Sequence, residues 1–304
     1  DLHSFPTRRS SDLEPEKAGG IENLKLADMP KPVPKNEEVL VQVKAISINP
    51  VDIKTRVGKS LYDQLKSDPP IILGWDISGV VTEVGSAVTQ FKPGDEVFGM
   101  INFPGHGKAY AEYVVASASE LALKPPNISH EEAAAATLAA LTAWQALVTN
   151  GKVKKGEKVV IQAASGGVGH YAVQIAKYLG AYVIATSSAA NKDFVLSLGA
   201  DEHIDYQKHK IDEVVNDADF VLDPIGDHNI DPSLNAVKKG GTVIMLPSLF
   251  KEQIAEKSKA KGVNGYYFSV RSNGEDMEKL AEILAKGIIR SHVSHPVLDR
   301  KSVV

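Results

Sequence analysis

Cysteine is missing from all 304 residues, which removes disulfides, thiolate nucleophiles and cysteine-ligated zinc together. Long apolar runs are missing too, and none approaches the roughly 18 residues that a membrane-crossing helix needs. Positive charge is not in excess: 34 Lys and Arg against 38 Asp and Glu leave a net charge of −4, which gives no electrostatic case for nucleic acid or an anionic membrane. Nothing marks the chain for secretion, so a cytoplasmic protein is the default expectation. What remains is a chain long enough for two ordinary domains with their own cores.

The stretch KVVIQAASGGVGHYAVQIAKYLG, residues 158–180, organises the rest. Val159, Val160 and Ile161 form the short β-branched run of a strand buried on both faces of a parallel sheet. Ala163, Gly166 and Gly169 punctuate a tight turn, after which Val168, Ala172, Ile175, Ala176 and Leu179 recur at helical spacing. A helix start carries unpaired N–H groups and the positive end of the helix dipole, so a diphosphate can sit against such a turn if no side chain blocks it. In the G-x-G-x-x-G fingerprint of dinucleotide sites the first glycine is here Ala164, while Gly166 and Gly169 remain. Glycines alone are a weak signal. Between a buried strand and an amphipathic helix they predict a dinucleotide site.

The next strand, residues 182–186, ends where an NAD-preferring site places Asp or Glu. Ser187, Ser188, Ala189, Ala190, Asn191 and Lys192 stand there instead. Two hydroxyls and a cation can hold a 2′-phosphate, which favours NADPH over NADH. The same serines can also cap the following helix.

From 19 to 115 the chain reads as short strands and glycine turns, with an alternating half-buried strand at 39–45 and apolar runs at 77–84, 96–99 and 111–115. A small β-barrel is predicted. Beyond Pro125-Pro126 the composition turns to helix formers, opening with the capping box Ser129 to Glu132 and an alanine-rich helix running to 148. Helices over 192–198, 211–216 and 231–237 then alternate with strands at 202–204, 220–222, 242–246 and 266–270, a doubly wound parallel sheet in an α/β fold. An amphipathic helix at 275–286 is closed by Gly287, and 288–298 is expected to return to the barrel.

Both ends look foreign. DLHSFPTRRSSDL at 1–13 lacks periodicity and resembles translated sequencing-adapter read-through, as does DRKSVV at the other end. Residues 1–13 and 300–304 are therefore left out of the fold expectation.

Several stretches in order carry a family resemblance across about 19–298: Asn49-Pro50-Val51-Asp52, Leu73-Gly74-Trp75-Asp76-Ile77-Ser78-Gly79, Lys92-Pro93-Gly94-Asp95, Leu141-Thr142-Ala143-Trp144, the turn 163–169, and Leu198-Gly199-Ala200-Asp201. The chain resembles the zinc-free medium-chain dehydrogenase/reductases of the quinone oxidoreductase (zeta-crystallin-like) branch. The resemblance implies a GroES-like barrel for the substrate at 14–124, completed by 272–299, and a Rossmann domain for NADPH at 125–271. It also implies an active site in the cleft between them. Zinc-dependent relatives carry Cys where this chain has Asn49, and His-Glu where it has Trp75-Asp76, so no metal site is expected. The chain also departs from its relatives at both ends, where it looks truncated, and exposed sheet edges would follow.

Without a metal, the implied reaction is hydride transfer from NADPH to a quinone or an α,β-unsaturated carbonyl. By resemblance Asn49 lies near the nicotinamide and the substrate. Tyr62 is the candidate for lining the pocket and donating to the product oxygen, with an exposed loop tyrosine as the other reading. The resemblance puts Thr142 near the nicotinamide ribose or phosphate and Ser165, Gly166, Gly167 and Val168 at the diphosphate. Ser187, Ser188, Lys192 and Tyr206 fall at the 2′-phosphate, and Phe268 and Val270 near the nicotinamide. Asp52 reads as structural within its turn, Trp75 as barrel core, Asp76 as a buried hydrogen-bond partner, and His106 and His170 as bystanders. Relatives dimerise through the edge of the parallel sheet, for which 263–270 is the candidate. The competing functions are an enoyl-thioester reductase and a non-catalytic, crystallin-like NADPH-binding protein.

Overall fold

A computed structural model describes residues 8–13 and 18–294. The chain divides into two units, one holding the described residues up to 138 with 271–287 and 291–294, the other 139–270 with 288–290.

The first unit runs β1 (Arg8–Leu13), β2 (Leu24–Met29), β3 (Glu38–Ser47), α1 (Pro50–Arg56), α2 (Tyr62–Leu65), β4 (Ile71–Ile72), β5 (Asp76–Val84), β6 (Glu96–Met100), β7 (Tyr113–Ser117), β8 (Ala122–Leu123) and α3 (His130–Ala135). An antiparallel sheet in the order β7-β3-β5-β6-β8 and a smaller one in the order β2-β1-β4 make up its β-structure. Val41, Val43, Ile77, Val81, Val97 and Val114 meet in one core. The alternation expected of β3 is interrupted, because Val39, Leu40 and Val41 are all buried. α3 lies against β3 and β5, which leaves that stretch no solvent face. Residues 1–13 stand outside the sequence expectation, yet Arg8–Leu13 pairs with β2, Leu13 opposite Leu24 and Arg8 opposite Met29. Ladder hydrogen bonds involve only backbone groups, so this pairing leaves no side-chain signature.

The second unit begins within α4 (Leu138–Trp144) and continues through β9 (Lys158–Ile161), α5 (Gly167–Tyr178), β10 (Tyr182–Ser187), α6 (Lys192–Ser197), β11 (Glu202–Asp205), α7 (Ile211–Val214), β12 (Ala218–Asp223), α8 (Ile230–Ala236), β13 (Val237–Met245), α9 (Lys251–Lys261) and β14 (Asn264–Tyr267). All six strands are parallel, in the order β11-β10-β9-β12-β13-β14. That is the doubly wound order, whose direction reverses between β9 and β12. Ligands of such sheets bind beyond the carboxyl ends of the strands at that reversal, where the glycine turn follows β9.

Four expectations change. The helix predicted from 129 to 148 is broken after Ala135, since the Leu138 N–H donates to Asp76 Oδ1 at 3.1 Å, and a wider π-turn takes over at Gln145–Asn150. α9 has no counterpart in the sequence reading, because only Ile254 and Ser258 of its eleven residues are buried and no apolar stripe announces it. The strand expected at 266–270 starts and stops earlier, as β14. Of the segment 288–298, residues 288–290 join the parallel-sheet unit, where Arg290 N–H donates to Gln174 Oε1 at 2.8 Å. Ser291 donates to Glu132 O in the barrel unit, and 295–298 lie outside the described residues. α10 (Gly274–Ala285) belongs to the barrel unit, burying Met277, Leu280, Ile283 and Leu284.

Candidate functional site

In the barrel unit the site is built on Asn49, the N-cap of α1, where Pro50 fixes the first helical turn. Asn49 is 7% exposed, and its Nδ2 donates to Asp76 Oδ2 at 2.7 Å. Asp52, one turn on, accepts the Asn49 backbone N–H at 2.6 Å. Both aspartates are buried, and no salt bridge among the described residues pairs either with a cation. Burial pushes the Asp76 carboxyl up to about 7, against the lowering effect of donors that include Asn49, Thr137 and Leu138. Burial, with the nearby Asp76 charge adding to it, likewise pushes Asp52 up to about 7. Asp76 accepts at both oxygens, whereas Asp52 Oδ1 is buried with no hydrogen-bond partner.

Tyr110 was not singled out from sequence, yet its phenol senses both aspartates. Burial first, then their charges, hold its hydroxyl far above the ordinary tyrosine range and so protonated. Its ring lies over Gly74, where a Cβ would meet it at 2.4 Å. Tyr62 opens α2 and is buried at 8%, with the Lys66 ammonium 5.9 Å from its ring centroid. It is not an exposed loop residue, and no hydrogen bond among the described residues joins it to the Asn49 network. Trp75 is core, its Nε1 donating to Gly105 O at 2.7 Å.

In the parallel-sheet unit the turn after β9 leads into α5, whose N-cap is Gly166 with no side-chain cap. Ala163 takes the left-handed conformation, φ +48°, while Ala164 is fully buried. A Cβ on Gly169 would lie 2.2 Å from Ala163 O, so this glycine is required for the helix to approach the turn. A Cβ on Gly167 would meet nothing within 4 Å, and Gly166 and Gly167 are exposed. The first N–H groups of a twelve-residue helix thus face an open cradle, which fits a diphosphate. Ser165 borders it, its Oγ accepting from Asn191 Nδ2 at 3.2 Å, and Val168 is half-buried behind it.

Beyond β10, Ser188 is half-buried, Lys192 is exposed, and Tyr206 is 60% exposed. Ser187 differs from these three: it is 1% exposed and its Oγ lies 3.0 Å from Ser188 O and 2.9 Å from His203 Nε2. Thr142 is buried in α4, Phe268 is half-buried with its N–H on Met245 O at 2.9 Å, and Val270 is buried. Sequence reasoning also missed the polar network after β12. There Ser233 Oγ donates to Asp223 Oδ2 at 2.8 Å and Gln162 Nε2 donates to Ser233 Oγ at 2.7 Å. These residues come from the end of β12, from α8 and from the turn after β9, and no local spacing links them.

A chain that carries an antiparallel barrel-like unit and a doubly wound parallel sheet with an open glycine turn has the parts of a nicotinamide-dependent dehydrogenase or reductase. Two family models agree, one for an alcohol dehydrogenase GroES-like domain over residues 35–126 and one for a zinc-binding dehydrogenase over residues 167–286. The chain is 35% identical over 291 residues to the 2-methylene-furan-3-one reductase of Solanum lycopersicum, spanning 93% of this chain and 70% of that one. Identity and coverage are the same for the NADPH-dependent alkenal/one oxidoreductase, chloroplastic, of Arabidopsis thaliana. The quinone oxidoreductase from Coxiella burnetii superposes with a TM-score of 0.88 at 34% identity, over 94% of this chain and 90% of that chain. The chain belongs to the medium-chain dehydrogenase/reductase superfamily, in its zinc-free quinone oxidoreductase branch.

The residues that the resemblance sets at the zinc position of zinc-dependent relatives do not fit that metal. The Asn49 amide presents a donor to Asp76, the Trp75 indole is buried, and the chain has no thiolate. Among the described residues no three His, Cys, Asp or Glu side chains group so as to hold a metal ion, and no helix is long and apolar enough to cross a membrane.

Proposed function

We propose that this chain passes hydride, without metal assistance, from NADPH to a quinone or to the β-carbon of an α,β-unsaturated carbonyl. The observation that carries the reading is the Asn49–Asp76 pair. Where zinc-dependent relatives place a Lewis acid, this chain holds an amide fixed by a buried carboxylate at 2.7 Å. Such a site positions and hydrogen-bonds a substrate that is already electrophilic, since conjugation carries the developing charge to an oxygen. The cofactor supplies the hydride.

Within this reading the N–H groups of 167 and 168, the Ser165 hydroxyl and the side-chain-free approach at Gly166 hold the diphosphate, and Thr142 holds the nicotinamide ribose or phosphate. Ser188, Lys192 and Tyr206 face the 2′-phosphate. Phe268 and Val270 line the nicotinamide, while Asn49 and Tyr62 orient the acceptor. The names of the relatives, an NADPH-dependent alkenal/one oxidoreductase and a quinone oxidoreductase, support both cofactor and acceptor. A cytoplasmic homodimer completes the proposal, the dimer supported by β14, which among the described residues pairs with a strand on one side only.

The test is NADPH oxidation with 9,10-phenanthrenequinone and, separately, with a short 2-alkenal, in the presence of chelator and with NADH as control. Turnover that requires NADPH supports the reading, and the better acceptor selects quinone or enone. NADPH binding without turnover of either would overturn it in favour of an enoyl-thioester reductase or a non-catalytic NADPH-binding protein.

A further inference from the structure

The end of β10 holds a hydroxyl that cannot meet a ligand directly. Ser187 is 1% exposed, and its one proton has two acceptor positions in reach, Ser188 O at 3.0 Å and His203 Nε2 at 2.9 Å. A hydroxyl donates once and accepts through its lone pairs. If His203 carries its proton on Nε2, it donates to Ser187 and leaves the Ser187 proton to Ser188 O. The two bonds then form a relay, His203 to Ser187 to the 188 carbonyl. They hold the backbone at the point where the chain leaves the sheet.

Ser188 sits at that exit, and its own Oγ accepts from Asn191 Nδ2 at 3.4 Å. The same Asn191 nitrogen donates to Ser165 Oγ at 3.2 Å, so the diphosphate turn and the end of β10 are joined through one amide. Lys192 follows immediately as the first residue of α6. His203 lies on β11, opposite Ala185 of β10 in the parallel ladder, and is half-buried beneath this corner. Ser188 and Lys192, which can face a phosphate monoester, therefore follow directly on the buried Ser187 and its half-buried partner His203.

We propose that His203 is a positioning residue for the adenosine 2′-phosphate, acting through Ser187 on Ser188, and so contributes to the choice of NADPH over NADH. The inference rests on the NADPH reading above and assigns the discrimination in part to a side chain outside the glycine turn. A positioned hydroxyl is worth most against a charged acceptor, so its displacement weakens a phosphate far more than a bare ribose hydroxyl.

The experiment measures dissociation constants of NADPH and NADH, by nucleotide fluorescence, for the wild-type protein and for H203L, H203Q and S187A. H203L removes the nitrogen, whereas H203Q keeps an N–H donor at a similar reach. Expected are a weakening of NADPH by about tenfold in H203L and S187A, little change for NADH, and substantial recovery in H203Q. The double variant H203L/S187A should lose no more than either single change, because the two act as one unit. Equal weakening of both nucleotides, or no change in NADPH affinity, overturns the inference while leaving the NADPH reading intact. A wild-type protein that does not prefer NADPH overturns both. S187A serves if H203L fails to fold, since it deletes only one oxygen.

Discussion

The Asn49 amide and the Asp76 carboxylate meet at 2.7 Å inside the barrel unit, both nearly shut off from solvent. Asp76 uses its other oxygen to accept the Leu138 N–H at 3.1 Å, so one carboxylate anchors the N-cap of α1 and the first residue of α4. Removing either side of the Asn49 contact leaves a buried polar atom without its partner. N49A is expected to lower unfolding free energy by about 1–3 kcal/mol in urea titration. Turnover with the quinone is expected to fall by about tenfold or more, as a positioning group is lost. Unchanged turnover would remove Asn49 from the site.

The two buried aspartates predict a stability that declines as pH rises. A carboxyl of an unfolded chain titrates near pH 3.9, whereas Asp52 and Asp76 are pushed up to about 7 in the fold. The folded state binds more protons between those limits, so their contribution is full below about pH 4 and is lost as pH rises through about 7. The thermal midpoint should accordingly fall between about pH 5 and pH 8. D52N keeps an acceptor for the Asn49 N–H and cannot ionise, so it should flatten part of that decline. A slope identical to that of the wild type would show that Asp52 is already charged throughout.

Two glycines of the turn should respond in opposite ways. G169A forces a Cβ to within 2.2 Å of Ala163 O, a backbone atom, and overpacking of that kind costs about 1–3 kcal/mol. G167A meets nothing within 4 Å and should leave stability within about 1 kcal/mol of the wild type. Its methyl group would nevertheless occupy the open cradle, so NADPH should bind about tenfold more weakly, a loss readable by fluorescence titration. Tight NADPH binding by G167A would place the diphosphate elsewhere.

Exhaustive dialysis against a chelator should leave quinone or enone turnover unchanged, and added zinc should not raise it. The residues that the resemblance sets at the relatives' metal position are an amide, a buried indole and a carboxylate already engaged with donors that include Asn49 and Leu138. Activity that vanished with the chelator and returned with zinc would contradict this account of the site.

Much of the parallel sheet was legible because buried parallel strands are continuous apolar runs. Val159-Val160-Ile161 and Phe220-Val221-Leu222 announce themselves in this way. The capping box at Ser129 was legible because its two hydrogen bonds span only three residues. α9 was not, since a helix with two buried residues has no periodic stripe. Nor was the interruption after Ala135, which follows from a hydrogen bond to a residue 62 positions away.

The sequence by itself determined the classes of chemistry open to this protein: no cysteine, a glycine turn between a buried strand and an amphipathic helix, and hydroxyls and a lysine in place of an acidic residue after β10. These depend on residue type and short-range spacing, which the chain carries directly. Only the tertiary structure decided which groups meet. Asn49 finds Asp76 across 27 residues, and Ser187 finds His203 across 16, burying the very serine whose composition suggested a phosphate contact. Strand order and register set those meetings, and shifting a register by one residue turns every side chain to the other face.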